Sequence, residues 1–81
     1  MHIFIENLPD DVTEEKLRDF FDDFLRPAHA EIKLEYKEGH PSFATLTMDT
    51  LTPRTAAVFA EHFNKRWFGG KFIHVHASQF D

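Results

Sequence analysis

Cysteine is absent from this 81-residue chain, so neither a disulfide framework nor a thiolate zinc site is available, and a reducing compartment is compatible with it. No apolar run approaches the about 18 residues that a membrane-spanning helix needs, and the N-terminal stretch lacks the basic region and apolar segment of a secretory signal. Glycine is scarce at 3 residues, and none belongs to a phosphate-cradling loop. No serine stands at a recognisable spacing from a base and an orienting acid. These absences remove the common routes to catalysis, and a non-enzymatic role without cofactor or metal is expected. Basic charge is short too: 9 Lys and Arg against 14 Asp and Glu give a net charge of −5, so tight nonspecific binding to duplexes is not expected.

The location of that charge qualifies its meaning. Between Asp10 and Leu25 seven carboxylates face only Lys16 and Arg18, and the rest of the chain is balanced. A surface elsewhere therefore need not repel phosphates. The length suits one small domain spanning residues 1–81, and its opening directly on a strand suggests a module of a larger parent protein.

What is present is a sequence of short, well-punctuated elements. A strand runs from His2 to Glu6, with Ile3 and Ile5 facing a core and His2, Phe4 and Glu6 facing the other way. After the turn Leu8-Pro9-Asp10-Asp11, Thr13 caps a helix whose first turn holds Glu14 and Glu15. Leu17, Phe20, Phe21 and Phe24 form its apolar stripe, and Pro27 stops it. Ala30, Ile32, Leu34 and Tyr36 alternate with charged residues as a second strand, and the turn Glu38-Gly39-His40-Pro41 leads into a third strand over Ser42 to Met48. Thr52-Pro53 opens a second helix with Ala56, Phe59, Ala60 and Phe63 inward, ending near Asn64. Beyond Gly69-Gly70, a last strand alternates Phe72, His74 and His76 with Ile73, Val75 and Ala77.

This order, βαββαβ, predicts an α+β, ferredoxin-like sandwich with a four-stranded antiparallel sheet and both helices on one face. Right-handed crossovers place the strands in the order 4-1-3-2. The open face then carries Phe72, His74 and His76, then His2, Phe4 and Glu6, then Phe43, Thr45 and Thr47, and at the edge Glu31, Lys33 and Glu35. Two phenylalanines on adjacent central strands make a stacking platform for unpaired bases.

With these residues in place, the chain resembles the RNA recognition motif (RRM) family over nearly its whole length. Ile3-Phe4-Ile5-Glu6-Asn7-Leu8 matches the family's hexamer at every position. Pro41-Ser42-Phe43-Ala44-Thr45-Leu46-Thr47-Met48 matches its octamer in part. Phe4 and Phe43 fall where the family stacks bases. Thr45 stands in place of the second octamer aromatic, and Pro41-Ser42 in place of a basic residue and glycine. The resemblance implies a partner in single-stranded RNA, bound weakly to moderately by Phe4 and Phe43, with His2, Lys33, Thr45, Phe72, His74 and His76 as secondary contacts. Small acyl phosphate hydrolases resemble the chain in topology only.

Arg66-Trp67-Phe68 resembles the Arg-x-Phe loop of the U2AF-homology-motif (UHM) subgroup, whose members bind a tryptophan-containing peptide. This implies an alternative partner, a basic peptide held by Asp19, Asp22 and Asp23 of the first helix and by Arg66, Trp67 and Phe68. Plainer roles stand beside these: Phe68 as core, Trp67 as cover for a sheet edge, the acidic helix as a solvated face, and Phe4 and Phe43 as a surface sealed by another part of the parent protein. His2, His74 and His76 share a face, but no fourth ligand is placed and no zinc site is assigned. Mild acidification charges imidazoles in general, so RNA affinity is expected to rise as pH falls. The expected location is intracellular, nuclear before cytoplasmic, with no membrane partner.

Overall fold

In the computed structural model, which describes residues 1–25 and 29–78, strand β1 (His2–Glu6) buries Ile3 and Ile5 completely and turns His2, Phe4 and Glu6 the other way. Helix α1 (Glu14–Phe20) starts where Thr13 accepts a hydrogen bond from the Lys16 N–H at 3.1 Å, with Glu14 and Glu15 favourably placed near the positive end of the helix dipole. The expected single helix is interrupted. Phe21 leaves helical geometry at φ −97°, ψ 9°, and the chain restarts as the single turn α2 (Asp22–Leu25). Aspartate is a poor interior helix former but a good first-turn residue, and Asp22 and Asp23 occupy the first turn of α2. Pro27, the expected stop, lies outside the described residues.

Strands β2 (Ala30–Lys37) and β3 (His40–Met48) form a hairpin closed by Glu38 and Gly39, both at positive φ. Register slips by one within it: Glu35 faces Phe43, whereas Tyr36 faces Pro41, leaving Ser42 unmatched. Strict alternation would turn Tyr36 inward with Ile32 and Leu34. Beyond this bulge it is instead 60% exposed. Helix α3 (Pro53–Phe63) begins with a reciprocal cap, the Thr55 N–H donating to Thr52 Oγ1 at 3.1 Å and the Thr52 N–H to Thr55 Oγ1 at 2.8 Å. It ends at Asn64, whose Oδ1 accepts from the Val75 N–H at 2.9 Å.

The expected last strand is divided in two. Trp67–Phe68 (β4) and Lys71–Phe72 (β5) make a separate two-stranded ribbon, and only His74–Ser78 (β6) joins the main sheet. That sheet is antiparallel in the order β2-β3-β1-β6, the arrangement anticipated from the crossovers, with the helices on one side. Between helices and sheet, Ile3, Ile5, Leu17, Phe21, Leu46, Phe59 and Ile73 are fully buried. Phe20, Phe21, Phe24, Phe59 and Phe63 interlock with ring centroids 4.7–5.7 Å apart, many of them edge to face. This aromatic wedge fixes the helices on the inner face and leaves the outer face bare.

Candidate nucleic-acid interface

Register determines which side chains meet on the bare face. Phe4 lies opposite Thr45 on β3 and His76 on β6, while Glu6 lies opposite Phe43 and His74. Phe4 therefore stands at the centre, its ring 5.9 Å from Phe43, 6.4 Å from His2 and 5.5 Å from His76, the last at an interplanar angle of only 25°. Phe4 and Phe43 are half-buried, with their flat surfaces available at the middle of the sheet. Glu6 Oε1 lies 2.5 Å from His76 Nε2, which holds that imidazole parallel to the Phe4 ring. His2 lies opposite Ser78, not directly across from His74 or His76 as a three-imidazole site would need. Among the described residues no group of three His, Cys, Asp or Glu side chains is placed to hold a metal ion.

The charge of this face is unfavourable to phosphate, as the acids placed there by alternation imply, and the structure adds a pairing of Lys33. Among the described residues of β1 and β2, Glu6, Glu31 and Glu35 are set on it against the ammonium of Lys33, which lies 3.4 Å from Glu35 in an exposed pair. An exposed pair of this kind contributes little to stability, but it offsets the charge that Lys33 can offer a ligand. Flat aromatic rings, rather than positive charge, are what this surface presents.

Phe72 was expected on the open face as part of the last strand. It sits instead on the ribbon, opposite Trp67, with ring centroids 4.8 Å apart in a T-shaped pair. The Asn7 side chain donates to the Phe72 carbonyl at 2.8 Å and ties the ribbon to the end of β1. The residues suggested for peptide capture are divided: Asp19 and Phe68 border one cleft, while Arg66 turns back towards α3. Phe68 packs on Phe20 at 4.8 Å, while the Arg66 Nε–H donates to the His62 carbonyl at 2.9 Å and so folds back on the end of α3. Asp19 borders a cleft with Lys16, Phe20 and Phe68, whereas Asp22 and Asp23 belong to α2. The ribbon itself was missed, although a Gly-Gly pair between two short runs that each carry an aromatic, Trp67-Phe68 and Lys71-Phe72, is a recognised sign of a two-residue hairpin.

The profile of the RNA recognition motif family matches residues 3–74, and the chain belongs to that family. A comparison with curated protein sequences finds no match. Fifteen chains of solved structures match, among them one described as the structure of the Rna15 RRM with bound RNA (GU), at 18% identity and a TM-score of 0.68. That match covers 99% of this chain and 85% of the other, and it shows a shared fold.

Proposed function

We propose that the open sheet face binds a short segment of single-stranded RNA, without catalysis, by stacking bases on Phe4 and Phe43. His2, Thr45, His74, His76 and Lys33 serve as secondary contacts to base edges, sugars or phosphates, and Phe72 contributes from the neighbouring ribbon. The observation that carries this reading is the row Phe43, Phe4, His76: three rings in sequence across β3, β1 and β6, on the side that the helices leave bare. The family to which the chain belongs and a structural neighbour holding RNA support the class of partner. Three carboxylates on the same face and a threonine at the second octamer aromatic position argue for weak to moderate affinity. An RNA partner and a chain without cysteine fit a reducing compartment rich in unpaired RNA, the nucleus before the cytoplasm.

Amide chemical-shift mapping tests the proposal. A random pool of heptaribonucleotides is titrated into the labelled domain, and a basic tryptophan-containing peptide into a second sample. Shifts along β1 and β3 with the RNA are the expected result. Shifts confined to α1 and residues 64–71, seen with the peptide alone, overturn it in favour of a peptide-binding module.

A further inference from the structure

Trp67 and Phe72 are 59% and 57% exposed, yet they stand on a firmly held element. The Gly69-Gly70 turn has φ +59° and +95°, values that a two-residue hairpin turn requires and that other residues adopt only with strain. A Cβ on Gly69 would come within 2.6 Å of Pro9 Cγ, so the tip of the ribbon rests against the β1–α1 turn. At its base the Lys65 N–H donates to the Ile73 carbonyl at 2.8 Å and the Ile73 N–H to the Arg66 carbonyl at 3.0 Å. Phe68, on the reverse side, is locked against Phe20. Two large rings are thus held at the surface by an anchored support, which lowers the ordering cost for anything that stacks on them.

The rings border a shallow cleft of about 600 Å³ with Asn7, Lys65, Lys71 and His74, a size in the range of ligand clefts. Among the described residues lining it there are two lysines and no carboxylate, the reverse of the balance on the sheet. His74 also stands on the open face, opposite Glu6 and two residues from the His76 ring that stacks on Phe4. Cleft and platform are therefore continuous. We propose that the cleft is a second nucleotide subsite: it takes one further unpaired base against Trp67 or Phe72, with Lys65 and Lys71 reaching its phosphates, and so carries the RNA past the end of the sheet. This rests on the open face being the RNA-binding surface.

Trp67 is the sole tryptophan, so its emission reports on this subsite directly. The domain is titrated with a random heptaribonucleotide pool carrying a fluorescein label for anisotropy and, separately, with unlabelled pool for tryptophan emission. Quenching of Trp67 is expected, with Trp67→Ala weakening the heptamer about 5- to 150-fold, the range for one stacked base. Lys65→Gln and Lys71→Gln should each flatten the dependence of log affinity on log salt by about 0.7. Both lysines are exposed, so these variants carry the test even where Trp67→Ala is poorly folded by circular dichroism. Binding that Phe4→Ala weakens, but that leaves Trp67 emission and the lysine variants' salt slopes unchanged, overturns the subsite while the platform stands. No heptamer binding at all overturns both. Emission that responds to a proline-rich peptide and not to RNA assigns the ribbon to a protein partner and overturns the subsite.

Discussion

Replacing Phe4 by alanine strips away a ring that neighbours three others on the open face, and the consequences for binding and for folding should separate. One base stacked on an aromatic contributes about 1–3 kcal/mol, so the heptamer Kd should rise about 5- to 150-fold. On the folding side, β1 anchors itself through Ile3 and Ile5, both fully buried, while Phe4 is half-buried on the opposite surface. The variant forfeits mainly ring contacts to Phe43 and His76, worth about 0.5–1.5 kcal/mol per aromatic pair. A buried phenylalanine would cost about 3–5 kcal/mol. Fluorescence anisotropy at fixed ionic strength gives the first quantity, because affinity for a polyanion is meaningless without the salt concentration. Urea denaturation gives the second. Phe4→Leu is the informative companion, since it keeps apolar bulk but loses the flat face: it should bind like the alanine variant and unfold like the parent. Wild-type affinity in Phe4→Ala would refute stacking at this position, and a loss of about 3 kcal/mol or more in stability would refute its placement outside the core.

Thr45→Phe sets a further ring beside Phe4, its cross-strand neighbour, and should tighten heptamer binding by about 5-fold or more in the same anisotropy assay. Phe21→Ala opens a cavity where Phe20, Phe59 and Phe63 converge at 4.7–5.2 Å, and should lower stability in urea by about 3–5 kcal/mol. Gly69→Ala combines a positive φ with a methyl 2.6 Å from Pro9, so it should destabilise by more than about 1 kcal/mol and change Trp67 emission as the ribbon tip shifts. A melting temperature and emission spectrum equal to the parent's would contradict that account.

Much of the main sheet was legible because its determinants are local and periodic. Ile3 and Ile5 against Phe4 set the faces of β1, and the two threonine caps set the starts of α1 and α3. Where tertiary contacts override periodicity, reading by period fails. Tyr36 leaves the core because Ser42 adds an unpaired residue across the hairpin, a shift that no pattern within β2 announces. Phe72 obeys the alternation of His74 and His76, but the Gly69-Gly70 turn pairs it with Trp67 before the chain reaches β1. The acids of the open face were legible as well, since alternation along β1 and β2 already sets Glu6, Glu31 and Glu35 there; the register adds that Glu6 and Glu35 flank Phe43 from either side.

The eight-residue β2 is the border of the sheet, so among the described residues one side of its backbone has no strand beside it. A rim of that length invites a strand from a second molecule, the first step towards ordered aggregation. Here Glu31, Lys33, Glu35 and Lys37 recur at every other position, so two copies meeting rim to rim would have to strip water from charge after charge. The acidic residues that temper attraction for phosphates thus also oppose pairing between copies through this rim. Selection for tighter nucleic-acid binding through their removal would erode that colloidal protection at the same time.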